Sequence, residues 1–455
     1  MKQERKLYIS KSHILICKNF QTNWTHYFLM LIFKAGLEYS YIVYLHDSPR
    51  IYPIDINPVK YFYGLVWLTV LFLFLNDGKE KVSAFMLHFF YALQMVPLTV
   101  IYSLQNENTL YYSVVCFSVL LCELVVGNIK GICLQINLEK KATKKWIIAF
   151  FLCVSILFLV NVYRKNGLPT LKALNLYAVY ELRGSGLYQI GKYEHYLQDT
   201  IVKVLIPILL TRFLMKKQYF YLLVTLAIEG CIYLYTGQKS YLFTGIMVVG
   251  IVFWFSRKRL SNYFWPFFYV GFALISFLVK LHPLLTSAYS LIIRRIFLVS
   301  ANNKFMYYDF FSTHPKEGFA GIFPRWLIPI KSNYISGYPD GYTYQIGRIY
   351  YDAPQMDCNT GFLAEGYLRW GLIGIVAELL VFAFILKCLD GFQQKTSFLF
   401  AVGTSVFIIF GLGDGHLINP LLFGYLMVWF LFLIFYREKD MAVRKRTVRV
   451  GMLRL

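Results

Sequence analysis

Ser287–Gly318, SAYSLIIRRIFLVSANNKFMYYDFFSTHPKEG, and Asp352–Gly374, DAPQMDCNTGFLAEGYLRWGLIG, bound the longest polar stretch of this chain. A Gly-, Pro- and Tyr-rich run joins them, and long apolar segments lie before and after. Those apolar segments decide the fold. Runs of roughly 17–25 apolar residues recur from end to end, the length a helix needs to cross a bilayer. A long insert bearing arginines and tyrosines, set among short connectors, is where chemistry is expected.

Of the 455 residues 58% are hydrophobic and only 15% charged, and the mean hydropathy is +0.51. The fold class that follows is an all-α membrane protein with about 12 transmembrane helices. They are expected at 27–46, 59–76, 84–103, 110–126, 146–163, 197–215, 219–236, 239–255, 263–281, 360–387, 397–413 and 419–436. Residues 1–26 read as a cytoplasmic tail, 27–436 as the membrane domain and 437–455 as a basic cytoplasmic tail. Two large outer loops, 164–199 and 282–358, interrupt the membrane domain, the second containing short interfacial helices.

A net charge of +22 raises nucleic acid as a partner, and the distribution of charge answers it. With a cytoplasmic N-terminus, 27 of the 46 Lys and Arg fall on the two tails and the short inner connectors. That is the regime in which positive charge reports orientation. The tail Arg444–Arg449, RKRTVR, suits an anionic inner leaflet. The partner is a membrane surface, not nucleic acid.

The eight cysteines are scattered without metal-ligand spacing, so neither zinc nor a disulfide framework is expected. The first apolar run follows some 26 mostly polar residues and has no small-residue cleavage site, so it reads as an uncleaved span. That span carries Lys34 and Glu38 at i,i+4, readable as a self-paired bridge or as an inward-facing polar site. Glu123, near the inner end of its span, reads as a snorkelling acid.

The first outer loop holds Arg164, Lys165, Lys172, Arg183 and Lys192 beside Glu181, Glu194, His195 and Asp199. Its segment from Gly167 to Gly186 resembles an interfacial amphipathic helix. Arg183-Gly184-Ser185-Gly186 is either a C-cap or an anion-binding turn. Lys239 opens a helix after Thr236-Gly237-Gln238, where a cation opposes the macrodipole. A bound anion would explain it, and so would snorkelling.

In the second loop Ser290–Ser300 is an apolar run broken by Arg294 and Arg295. Being too short to cross, it reads as a re-entrant or interfacial helix holding two guanidiniums for phosphate oxygens, or as a belt on anionic lipid. Tyr307, Tyr308, Phe310, Phe311 and a further series of tyrosines follow, suited to sugar faces or to an interfacial belt. Arg348 adds a cation, His314 is the loop's imidazole, and no two carboxylates have the spacing of an acid/base pair. Glu365 and Arg369 lie four apart at the start of the tenth span, either self-paired or a polar notch. Asp414 and His416 stand at the same level near the end of the eleventh. Polar groups from three elements thus converge on the outer leaflet.

The pattern RRIF…YYDFF in a long outer loop, followed by NTGFLAEGYLRWGLIG, and TGQKSYL opening a span, resembles the Wzy-type O-antigen and oligosaccharide repeat-unit polymerases. The resemblance in layout covers nearly the whole chain, on short, degenerate motifs. It implies an inverting glycosyltransferase of the bacterial cytoplasmic membrane, with both termini cytoplasmic, no metal and no cofactor. Its substrate would be an undecaprenyl-diphosphate-linked oligosaccharide, polymerised into O-antigen or capsule on the outer face. A chain-length regulator and a flippase of the same pathway would be its partners. Carried onto this chain, the resemblance makes Arg294, Arg295 and Arg183 diphosphate clamps, with Lys239, Arg348 and Arg369 behind them. Glu365 is the first candidate for a base and His314 the second, while Tyr307 and Tyr308 would line the glycan. The alternatives are an O-antigen ligase and a lipid-linked oligosaccharide flippase or exporter. Asn359-Thr360 stand where the ligases carry a histidine, which weighs against the first. A flippase would string charge through many spans and show internal repeats.

Overall fold

The computed structural model describes residues 24–48, 51–75, 81–133, 143–169, 174, 191–319, 322, 342–354 and 356–436. Arg183, the Gly167–Gly186 helix beyond Pro169, most of the Gly/Pro/Tyr-rich run and both tails lie outside them. The described residues form helices and connectors. In chain order the helices are α1 (Trp24–Tyr44), α2 (Pro58–Phe74), α3 (Val82–Leu104), α4 (Thr109–Asn128), α5 (Thr143–Asn166), α6 (192–215) and α7 (Tyr219–Thr236). After them come α8 (Lys239–Phe255), α9 (Phe264–Phe277), α10 (Pro283–Thr313), α11 (Tyr342–Tyr351), α12 (Phe362–Trp370) and α13 (Leu372–Lys395). The last are α14 (Phe398–Leu412), α15 (Ile418–Phe423) and α16 (Tyr425–Phe435). Among the described residues seven helical stretches are long and apolar enough to cross a membrane, and five more apolar helices run 10–17 residues. The protein is a helical membrane protein.

The chain divides into two units, interleaved in sequence. The first comprises residues up to 130, 262–386 and 410–417. Its helix starts follow local chemistry. Asn57 caps α2 by accepting from the amides of Val59 and Lys60 at 3.0 and 3.3 Å, with Pro58 in the first turn. Asn108 accepts from Tyr111 N at 3.0 Å and caps α4. In α3 a π-helical turn, Tyr91–Met95, precedes Pro97. The wider turn accommodates a ring that an α-helical register would drive into a carbonyl four residues back. α1 and α9 pack closely because small residues meet there. A Cβ on Gly36 would lie 3.2 Å from Ala273 Cα and 3.4 Å from Ser276 Cβ.

Depth within this unit follows from contacts. The connectors 51–57 and 105–108 share a side, since Asp55 N donates to Leu104 O at 2.8 Å and Lys60 Nζ to the carbonyls of Asn106 and Glu107 at 2.8 and 2.7 Å. Tyr44 ends α1 on that side, and Phe33 lies three turns deeper, about 16 Å along the axis. α10 meets Tyr44 through Tyr289 (5.2 Å between rings), Phe33 through Phe297 (5.2 Å), and Tyr111 in the first turn of α4 through Tyr308 (4.8 Å). By these ring contacts α10 is anchored along α1 and at the first turn of α4. Its Tyr289–Val299 portion is π-helical.

This differs from the expectation for 282–358. The arginine-bearing segment is part of a 31-residue helical stretch long and apolar enough to cross a membrane, not a separate eleven-residue helix. The predicted span 360–387 is also broken. Gly371, at φ +66°, separates the nine-residue α12 from α13. Phe362 packs on Phe90 in the middle of α3 (5.6 Å), while Tyr367 packs on Tyr111 (5.8 Å), so α12 rises from mid-depth to the connector side. Its last carbonyls are met by the amides of Glu317 and Gly318, donating to Leu368 O and Arg369 O at 3.0 Å each. Glu123 departs from expectation too. It is buried on α4, and neither carboxyl oxygen has a partner among the described residues. Lys34 and Glu38 do form the self-paired bridge, with Lys34 over the Tyr61 ring at 4.3 Å.

The second unit comprises 131–261, 387–409 and 418 onward. In it α5 continues to Asn166 and α6 begins at Lys192. Lys165 pairs there with Glu194. Gly237, at φ +60°, makes the turn from α7 to α8. Glu229 on α7 is buried and accepts from Gly245 N on α8 at 2.6 Å. Lys387 and Asp390 form a buried ion pair of 2.6 Å.

Candidate functional site

Arg294 and Arg295 lie on the π-helical part of α10, between the levels of Tyr44 and Phe33, and both side chains are exposed. Among the described residues no carboxylate pairs with either. A row of phenols and a thiol stands within electrostatic reach of them. Burial raises the Tyr52 phenol, and both arginines oppose that rise. Burial pushes the Cys358 thiol up to about 12, with Arg295 again pulling the other way. Tyr351 feels Arg295 as well. Tyr351 is held by donating to Asn303 Oδ1 at 2.6 Å and accepting from Asn302 Nδ2 at 3.3 Å. Asn303 Nδ2 in turn donates to Asn359 O at 2.8 Å. The wall beside the arginines is thus hydrogen-bonded across α10, α11 and the chain before α12.

Other expected residues take structural places. Tyr307 is buried and donates to Cys358 O at 2.9 Å, so it braces that chain and presents no face to a glycan. Tyr308, half-buried, packs between Tyr111 and Tyr367 at 4.8 and 4.9 Å. His314 follows the last turn of α10, with Nδ1 2.7 Å from Phe310 O and its ring stacked on Phe310 at 4.0 Å. The end of a helix explains that imidazole. Arg348 is exposed on α11. Lys239 is half-buried at the start of α8, in the second unit, and Arg183 lies outside the described residues.

Glu365 and Arg369 do pair, and the pair is one part of a larger group. Arg369 Nη2 reaches Glu365 Oε2 at 3.1 Å, and Nη1 reaches Glu378 Oε1 on α13 at 2.7 Å. The other Glu365 oxygen, Oε1, contacts His416 Nδ1, and Tyr342 Oη lies 3.5 Å from it. Glu365, Arg369 and Glu378 are 3%, 2% and 0% exposed. A guanidinium shared by two buried carboxylates has no room for a diphosphate, so Arg369 is not a ligand clamp. Glu365 is likewise too enclosed to reach a substrate hydroxyl itself. The His416 side chain is 45% exposed.

Three further groups had weak signals in the sequence. Lys304 on α10 is fully buried, its Nζ donating to Ser300 O and Oγ at 3.1 and 2.8 Å and lying 3.4 Å from Gly413 O. A Cβ at Gly361, whose φ is +83°, would overlap that same Gly413 carbonyl. Glu107, between α3 and α4, is pushed up to about 7 by burial and by the nearby charge of Asp309, which accepts from Tyr350 Oη at 2.6 Å. Lys316 lies over the Tyr367 ring at 3.9 Å, and burial lowers its ammonium. Glu378 was readable only as one more acid in an apolar helix.

No protein-family description, curated protein or solved structure matches this chain.

Proposed function

We propose that this protein is a membrane glycosyltransferase that joins diphosphate-lipid-linked oligosaccharide units into a surface polysaccharide. The observation that carries the reading is the exposed Arg294–Arg295 pair on the π-helical part of a long apolar helical stretch. A guanidinium pair at that depth, with no acid of its own among the described residues, suits a phosphate group whose lipid tail lies in the bilayer. The clamp would stabilise the negative charge that gathers on the departing diphosphate, the largest single contribution in such a transfer. The tyrosine and asparagine wall beside it offers hydroxyl and amide groups to a glycan. In this reading the bilayer is a bacterial cytoplasmic membrane and the reaction takes place on its outer face.

A transport reading has its own observation. Buried ionisable groups occur on α1 (Lys34), α4 (Glu123), α7 (Glu229), α10 (Lys304), α12 (Glu365, Arg369) and α13 (Glu378, Lys387, Asp390). Charge is therefore not confined to outer loops, and intramembrane charge is a mark of transporters. The deciding experiment supplies purified protein with synthetic undecaprenyl-diphosphate-linked repeat units and reads the products on a gel. A ladder from the wild type that is lost in Arg294→Ala and Arg295→Ala, with both variants monodisperse, supports the polymerase. No ladder, but protein-dependent passage of the substrate across liposomes, replaces it with the flippase.

A further inference from the structure

Resting on the glycosyltransferase reading, we infer that Tyr289 is a third ligand of the phosphate group held by Arg294 and Arg295, its hydroxyl donating to a phosphate oxygen. The side chain is wholly buried, and its hydroxyl has no hydrogen-bond partner among the described residues. A buried donor without a partner is costly, and in a native fold it calls for a reason. Packing around it supplies none. The Tyr44 ring meets it edge-on at 5.2 Å. The Ser40 hydroxyl lies close by, but it gives its own proton to Leu37 O at 2.9 Å and stands outside hydrogen-bond geometry with the phenol. The charged neighbour is Arg294.

The helical register brings phenol and guanidinium together. Residues Tyr289–Val299 form a π-helix, whose hydrogen bonds run from i to i+5. A turn of that kind closes after four to five residues, so Tyr289 and Arg294 share a face. In an α-helix of 3.6 residues per turn they would point to different sides. Tyr52, from the connector 51–57, completes the group. It is 4% exposed, and both arginines, Tyr289 and the Tyr351 hydroxyl lie within its reach. The groups that face Tyr289 are thus two phenols, a serine hydroxyl and a guanidinium, with no acid among them. Two guanidiniums supply the charge and the phenol a neutral donor, a set that pairs with several phosphate oxygens and repels none. Since the arginines are exposed and the phenol is buried, the phosphate meets the guanidiniums first and the hydroxyl at its inner edge.

The test compares the full-length wild type with Tyr289→Phe, which removes one oxygen and nothing else. Each protein, in detergent, is titrated with undecaprenyl diphosphate and separately with phosphatidylglycerol, since a substrate and a bilayer lipid both carry phosphate. Melting temperatures are recorded without either lipid. Tyr289→Phe should bind undecaprenyl diphosphate about 10-fold more weakly, the effect of one lost hydrogen bond to a charged group. Its melting temperature should be unchanged or higher, because the deleted hydroxyl had no partner to lose. Phosphatidylglycerol should bind both proteins alike. Equal affinity of the two proteins for undecaprenyl diphosphate overturns the inference and leaves the arginine pair standing. A lower melting temperature, or a variant that does not fold, also overturns it, by showing that the fold already uses the hydroxyl. An equal loss for phosphatidylglycerol overturns it too, and makes Tyr289 part of a general phospholipid belt. A wild type that binds undecaprenyl diphosphate no better than phosphatidylglycerol overturns the proposed function itself.

Discussion

Gly366 and Gly374 lie backbone against backbone: a Cβ added to Gly366 would stand 2.6 Å from the carbonyl oxygen of Gly374. This contact lets α12 fold back on the start of α13, and Gly371 supplies the turn between them at φ +66°. With the two helices so close, Arg369 can reach Glu378, nine residues on in sequence. Gly366→Ala and Gly374→Ala should each destabilise the protein by about 1–3 kcal/mol, because backbone atoms have to move. Gly271→Ala, where an added Cβ meets nothing within 4 Å, should be neutral or gain about 0.5–1 kcal/mol from helix propensity. Thermal unfolding in a single detergent checks the contrast.

Arg369→Ala removes the cation shared by two buried carboxylates and should cost about 3–5 kcal/mol. Arg369→Ala combined with Glu378→Gln should lose less than the single arginine variant, because one stranded charge is then gone. If the two substitutions add independently, the bridge contributes nothing to stability.

Arg294→Ala and Arg295→Ala should each weaken undecaprenyl diphosphate binding by roughly 10–100-fold, the equivalent of a lost charge-assisted hydrogen bond. Lysine at either position should recover only part of the loss, since it keeps the charge but not the planar fork. Titration of the purified protein with the lipid at two ionic strengths measures both effects. Unchanged affinity in both alanine variants would remove the arginine pair from the site.

Glu107 gives a pH dependence with a defined sign. Its folded value, pushed up to about 7, lies above the ordinary 4.5 of the unfolded chain. The stability tied to this group is fully present below about pH 4.5 and is lost as pH rises through 7, by at most about 3 kcal/mol. Glu107→Gln should flatten that decline, and Asp309→Asn should shift it to lower midpoint pH by removing the neighbouring charge. Melting temperatures of the three proteins from pH 5 to 8 give the comparison.

The sequence by itself determined the helical membrane class. The length and apolarity of a segment are local properties, and a bilayer leaves a backbone few other ways to satisfy its hydrogen bonds. The Glu365–Arg369 pair was legible for the same reason, because i,i+4 residues share a helix face wherever the helix goes. Lys34–Glu38 is a second case. Tertiary structure alone decided that Arg369 is consumed by Glu378, that Tyr307 braces Cys358, and that His416 stands against Glu365. It also decided that Arg294 and Arg295 stand beside Tyr52 and Tyr351. Each of these depends on contacts between residues far apart in the chain, made where glycines let backbones touch and where a π-helical stretch lies. No periodicity of one segment encodes the partner that a second segment brings to it.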